Sequence, residues 1–143
     1  MTAREAAANV WKAFYTRDAD QIRAVLTDDV EWLAPSGNAT ATALGVTSHM
    51  IGPDAIASFI INDFRRLYPD GIAVTPLSVT AEENRVVFEQ RQQAQIANGR
   101  MFDLNYVFVF EMEGGRARRI REYMDTQAGL SMVFGDEPAR KIV

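Results

Sequence analysis

The chain has 143 residues, no cysteine, one histidine and a formal net charge of −4. Its length suits one domain with a sizeable core, so we predict a single domain over residues 1–143. Without cysteine there are no disulfides, thiolate metal sites or cysteine nucleophiles, and one histidine excludes metal sites that need two imidazoles. The acidic balance argues against nucleic acid as a partner, since nucleic-acid binding needs a basic surface.

The first residues lack the apolar stretch of a secretory signal, and no segment is apolar enough to span a bilayer. We therefore expect a cytoplasmic protein with no membrane partner.

The N-terminal half carries helix signals followed by one strand. A capping box at residues 2–5 opens a first helix, along which apolar residues recur at helical spacing as far as Phe14. A shorter helix follows, then a predicted turn at residues 27–29. Residues 30–34 are typical of a strand that ends before Pro35.

Residues 35–52 contain no Asp, Glu, Lys or Arg and show no clear periodicity. We predict an irregular loop that is a lid, a binding loop or simply mobile. His49 lies near its end, where it is either a polar contact at the rim of a pocket or a surface histidine. Pro53 then begins a helix with one apolar stripe, which ends before Pro69.

The second half is rich in strand signals and tight turns. Asn98-Gly99 is a strong hairpin signal, and a pair of glycines separates the last two strands. Helices followed by strands favour an α+β fold in which a strongly curved antiparallel sheet wraps around the N-terminal helices. The tail, residues 128–143, packs on the sheet, packs on a partner subunit or frays. The predicted strands are residues 72–80, 85–97, 101–113 and 116–127.

Side-chain alternation predicts which strand residues face the helices. In the last strand Ile120, Glu122 and Met124 share the inner face, and an acid between apolar neighbours is costly unless it is paired or used. The second strand is ambiguous. Its inner face carries either Val87, Glu89, Arg91 and Gln93 or Val86, Phe88, Gln90 and Gln92. The inner face of the third strand is predicted to carry Leu104, Tyr106, Phe108, Phe110 and Met112.

Five motifs in this order carry a family resemblance, namely residues 28–32 (Asp-Asp-Val-Glu-Trp), 52–56, 98–99, 114–115 and 121–125. Together they resemble the SnoaL-like branch of the nuclear-transport-factor-two-like superfamily. Relatives there include polyketide cyclases, limonene epoxide hydrolase and ketosteroid isomerase. The resemblance implies an α+β cone with an internal pocket and a homodimer formed through the outer sheet face. Because the fold hosts many chemistries, function depends on the site.

The resemblance also suggests site residues. Counted from the glycine turns, the arginine of limonene epoxide hydrolase falls on Glu89, its base aspartate on Arg91 and its acid aspartate on Glu122. The base aspartate of ketosteroid isomerase falls on Ala34. The aspartate of the His-x-Asp element in polyketide cyclases matches Asp125.

The sequence thus predicts a pocket with Glu122, Arg91 and Glu89 at its polar end and Asp125 as a further candidate acid. Two acids with an arginine between them can hold one acid protonated and the other ionised, as general acid–base catalysis needs. The same residues can equally form an inert structural network. The predicted substrate-binding residues are Trp32, Tyr106, Leu104, Ile120, Met124 and His49.

From this pocket we expect a cofactor-independent enzyme of the isomerase, cyclase, hydratase or hydrolase type acting on a small apolar molecule. No metal site is expected. The alternative is a non-catalytic small-molecule-binding or accessory dimer with the same fold.

Overall fold

A computed structural model describes all 143 residues. The helices are α1 (Ala3–Thr16), α2 (Ala19–Ala24), α3 (Ala39–Leu44), α4 (Pro53–Ser58), α5 (Phe64–Leu67) and α6 (Thr126–Phe134), with a π-helical turn at Phe59–Asp63. The strands are β1 (Leu26–Leu33), β2 (His49–Ile51), β3 (Ala73–Glu82), β4 (Arg85–Gln95), β5 (Met101–Glu113) and β6 (Arg116–Met124). No helix is long and apolar enough to cross a membrane.

The six strands form one curled, unclosed sheet in the order β2-β1-β6-β5-β4-β3, and the predicted α+β cone is confirmed. All neighbouring strands run antiparallel except β1 and β6, which pair in parallel. The four strands of the second half, β3 to β6, are thus antiparallel as expected, and β1 joins them through its parallel pairing with β6. Most of the chain separates β1 from β6, so no tight hairpin fixes their relative direction.

Helix α1 begins where the sequence predicts and covers the concave face of the sheet. The Thr2 hydroxyl accepts a hydrogen bond from the backbone N–H of Glu5, and the Glu5 carboxylate accepts one from the Thr2 N–H, each at 3.1 Å. Farther along the helix, Trp11 packs edge-on against Phe88 and Phe108 of the sheet. These aromatic contacts fix α1 as one wall of the cone interior.

Two expectations for the N-terminal half are wrong. Strand β1 begins at Leu26, four residues before the predicted start, because Leu26 already pairs with Ala117 of β6. Residues 35–52 are folded into α3 and β2 instead of forming an irregular loop. The Asn38 side chain caps α3 by accepting a hydrogen bond from the Ala41 N–H at 3.0 Å, and Gly45 ends the helix with φ of +67°.

Strand β6 ends at Met124, earlier than predicted. Asp125 leaves the strand because its carboxylate caps α6, accepting a hydrogen bond from the Ala128 N–H at 3.0 Å. The rest of the tail packs on the sheet through α6, which contacts β5 and α3. Of the possibilities open for the tail, packing on the sheet is the one that the structure shows.

Candidate functional site

A cavity of about 220 Å³ lies between the concave face of the sheet and the helices. Hydrophobic residues make up 14 of its 23 lining residues, so the space favours a mostly apolar occupant. An apolar protein cavity of about 150 Å³ accommodates benzene, so this one has room for a single ring with small substituents. Its aromatic walls are Trp11, Phe14, Tyr15, Trp32, Phe59, Phe64, Tyr68, Tyr106 and Phe108.

Glu122 is the carboxylate that lines this cavity. Strand β6 presents it on the concave face, beside Ile120 and across from Phe108 of β5. On the other side, the indole N–H of Trp32 donates a hydrogen bond to Glu122 Oε1 at 3.0 Å. Trp32 is itself held by stacking on Phe14, with ring centroids 5.8 Å apart. The acid is therefore oriented by one donor and surrounded by aromatic rings.

Removal from water changes the acidity of Glu122. Burial raises its pKa from 4.5 to about 7, while the hydrogen bond from Trp32 pulls the pKa the other way. The residue is half-buried, and the surface that it keeps faces the cavity. Near neutral pH the side chain therefore exists in both protonated and ionised forms, as a general acid–base group requires.

Three phenols line the cavity with Glu122, and two of them, Tyr68 and Tyr106, are buried. The hydroxyl of Tyr68 lies 2.7 Å from the Thr40 hydroxyl, which α3 brings to the cavity wall. Burial raises the pKa of both Tyr68 and Tyr106 above its ordinary value, and the nearby Glu122 carboxylate acts in the same direction. Both phenols are protonated at neutral pH, as ordinary phenols are, and can donate hydrogen bonds.

The neutral side chains of Gln90 and Gln92 also belong to the polar lining, together with Arg17, Asn38, Thr47 and Ser48. Both glutamines are buried, with 7% and 8% of their surface exposed, and both face the cavity from β4. Their amides make no hydrogen bond to another protein group. By contrast, the buried Asn38 uses its side chain to cap α3 and to donate to the Pro35 carbonyl.

The structure does not gather the predicted site residues in one place. Trp32, Tyr106 and Glu122 meet at the cavity. Leu104 and Met124 line a separate crevice of about 10 Å³ beside α6. Ile120 lies wholly inside the core, with no exposed surface. Glu89, Arg91, His49 and Asp125 lie elsewhere.

The structure does not bring Glu89 and Arg91 together with Glu122. Both are exposed on the outer face of the sheet, where Arg91 pairs with Asp103 at 2.6 Å and Glu89 accepts a hydrogen bond from Ser78 at 3.2 Å. The reason is the cost of burying charge. Strand β4 can turn only one of its two faces inward, and it turns the neutral glutamines in and the charged residues out.

His49 and Asp125 also lie outside the cavity. His49 is exposed on the edge strand β2, and its Nε2 lies 3.1 Å from Glu31 Oε1. Asp125 is occupied in capping α6, as described above. The protein has no group of three or more His, Asp or Glu side chains placed to hold a metal ion.

Sequence reasoning missed Gln90, Gln92, Thr40 and Tyr68 as lining residues. For the glutamines a signal was available, since the side chains on one face of β4 are all neutral while the other face carries charged residues. Thr40 carried no such signal, because it reaches the cavity only through the short helix α3.

Comparison with known proteins places these features in a family. The model of the SnoaL-like domain matches residues 7–120. No curated protein matches the sequence significantly.

Solved structures with a similar fold cover most of this chain. An NTF2-like protein of unknown function from Burkholderia pseudomallei is 25% identical, with a TM-score of 0.72, and the match covers 92% of this chain and 96% of that one. An LEH-like epoxide hydrolase from M. tuberculosis is 21% identical over 92% of this chain and 88% of its own, with a TM-score of 0.70. A candidate SnoaL-like polyketide cyclase from Jannaschia sp. CCS1 is 17% identical over 95% and 93%, with a TM-score of 0.73. The family model spans most of the chain, and the protein therefore belongs to the SnoaL-like family.

Proposed function

We propose that this protein is a small cofactor-independent enzyme in which Glu122 transfers a proton within a small, mostly apolar substrate. The observation that carries the proposal is one carboxylate with a pKa of about 7, facing an aromatic cavity and oriented by Trp32. A group that is half ionised at neutral pH can both take and return a proton.

The single acid narrows the reaction type. Hydrolysis of the kind in which one acid positions water and another protonates a leaving group needs two carboxylates, and here Glu122 alone faces the cavity. One carboxylate is sufficient for isomerisation: it takes a proton from carbon, the C–H electron pair moves onto a neighbouring carbonyl, and the same group returns the proton to another atom. Tyr106 and Tyr68, protonated phenols buried in the same cavity, can donate hydrogen bonds to further polar groups of the substrate. Isomerase-type chemistry is thus favoured over hydrolase chemistry.

The experiment uses acetophenone, a single-ring ketone of suitable size, in deuterated buffer. Proton NMR follows replacement of its methyl hydrogens by deuterium. We expect the protein to accelerate exchange over buffer, with a rate that rises with pH through about 7 as the Glu122 carboxylate forms. The Glu122→Gln variant should lose about 100-fold or more of that acceleration. If exchange is no faster than in buffer alone, proton transfer is refuted and a non-catalytic small-molecule-binding role remains as the alternative.

A homodimer formed through the outer sheet face is part of the same proposal. That face presents Tyr123, 52% exposed, as a large hydrophobic side chain on β6. Burial of such residues stabilises association. Light scattering at micromolar concentration tests this, and a monomer would count against it.

A further inference from the structure

Two buried amides without a partner stand out in the cavity. Gln90 and Gln92 each expose less than a tenth of their surface, yet neither amide hydrogen-bonds to the protein. Their neighbours on the opposite face of β4 behave differently, since Arg91 and Gln93 both donate to Asp103. The amide atoms stay open to the cavity, so they offer hydrogen bonds to its occupant, and a ligand that displaces water from them must satisfy them in turn.

The spacing of the two glutamines suits one acceptor atom. Residues two apart on a strand lie about 7 Å apart on the same face. Two N–H groups that each reach about 2.9 Å span about 5.8 Å, so the flexible glutamine side chains need to converge by only about 1 Å to share one oxygen. A carbonyl oxygen has two lone pairs and can accept one N–H from each amide; a hydroxyl oxygen can accept both as well, but its own hydrogen then needs an acceptor in a mostly apolar cavity. A carbonyl group is therefore the simplest match.

The position of Glu122 supports the same class of occupant. Gln90 pairs with Tyr106, and Glu122 pairs with Phe108, so Gln90 and Glu122 are two strands and two residues apart. With strand spacing of about 4.8 Å and a rise of about 3.4 Å per residue, their Cα atoms are roughly 12 Å apart along the sheet. Both side chains extend from the concave face toward the cavity, which leaves the width of one ring between them.

We propose that Gln90 and Gln92 are a two-amide clamp for the carbonyl oxygen of a single-ring ligand, which makes cyclic or aryl carbonyl compounds the substrate class of this cavity. The clamp holds the oxygen at one end while the ring rests on the aromatic walls. Hydrogen bonds from two N–H donors make the α-hydrogens of the bound carbonyl compound more acidic, which would help Glu122 to remove one. This catalytic consequence rests on the proposed function. Recognition by the clamp itself requires no catalysis.

The test compares acetophenone with α-methylstyrene, which carries a methylene group in place of the carbonyl oxygen. NMR titration measures both affinities in the wild type and in the Gln90→Met/Gln92→Met double variant, since Met matches Gln in volume without the amide. We expect the wild type to prefer the ketone by about tenfold, corresponding to two neutral hydrogen bonds. The double variant should bind both probes equally.

Matched controls separate the clamp from its surroundings. Gln93→Met changes the same residue type on the opposite face of β4, where it contacts Asp103, and should keep the preference. Glu122→Gln should also keep it while losing deuterium exchange. A variant that loses only deuterium exchange therefore tests proton transfer by Glu122 and not the clamp. A variant that loses only the ketone preference tests the clamp and not proton transfer.

Stability provides a second readout. Because the amides have no protein partner, the double variant without ligand should unfold at the same temperature as the wild type or higher. A large fall in unfolding temperature would show a structural role and overturn the proposal.

Three binding results would also overturn the proposal. They are a wild type without ketone preference, a double variant that keeps the preference, and a wild type that binds neither probe at millimolar concentration. If the double variant does not fold, the two single variants carry the same comparison, with a partial loss expected in each.

Discussion

Replacing Glu122 by glutamine should stabilise the protein, by an amount that grows as pH rises from about 4.5 to about 7. Glutamine keeps the side-chain oxygen that accepts from Trp32 but removes the ionisable group. Burial holds the pKa of Glu122 at about 7 in the folded protein, against 4.5 for the free group. Between these values the folded state keeps the proton that the unfolded chain has lost. Wild-type stability therefore falls as pH rises through this interval.

The pKa difference sets the size of the effect. A rise from 4.5 to about 7 corresponds to about 3 kcal/mol of unfavourable ionisation in the folded state. We therefore expect Glu122→Gln to change the free energy of unfolding little at pH 4.5 and to raise it by about 3 kcal/mol at pH 8. In a protein of this size, that gain is roughly 6–12 °C in unfolding temperature.

Urea denaturation of both proteins at pH 4.5 and pH 8 measures the effect. Glu113→Gln is the control, since Glu113 is exposed at the end of β5, and its effect should stay within about 0.5 kcal/mol at either pH. Equal stability of wild type and Glu122→Gln at pH 8 would show that Glu122 is not desolvated. A gain of the same size at both pH values would point to improved packing instead.

Three further substitutions test the surroundings of the acid. Trp32→Phe removes the donor that lowers the pKa of Glu122, so carbon-13 NMR should show that pKa rising, and an unchanged or lower value would contradict this arrangement. Asp125→Ala should cost about 1 kcal/mol in urea denaturation through loss of the α6 cap while leaving deuterium exchange intact; loss of exchange would restore Asp125 as a candidate acid. Tyr68→Phe removes the contact with Thr40 and should cost roughly 0.5–1.5 kcal/mol by the same method, and no change would mean that this contact is not formed in solution.

The sequence was sufficient for the elements with strong periodicity or caps. The capping box predicted the start of α1, and the alternation along β5 identified its inner face from Leu104 to Met112. Helix α3 escaped prediction because six residues of alternating alanine and threonine, ending in leucine, offer no apolar stripe. Its existence depends on two caps, Asn38 and Gly45, and on packing against α5 and α6.

The site was only partly predictable, for a reason that lies in β4. Alternation alone allows two faces, and counting from the glycine turns selected Glu89 and Arg91. A shift of one residue exchanges the whole set of inward side chains. Comparing the burial costs of the two sets would have selected Gln90 and Gln92, because two amides are far cheaper to remove from water than two charges. Asp125 was ambiguous for a similar reason: the residue ends the alternation of β6 and begins the N-terminal signal of α6.

The one-residue shift in β4 also explains how Glu122 retains its raised pKa. An arginine beside a carboxylate favours the ionised form and lowers its pKa. With Arg91 inward, Glu122 would have a cationic neighbour and would lose the near-neutral titration that burial provides. In the structure Arg91 is instead paired with Asp103 on the outer face, and the inner positions of β4 hold neutral amides. Those amides can bind a substrate oxygen without contributing a charge, so the same strand supplies hydrogen-bond donors and leaves the acid near pH 7.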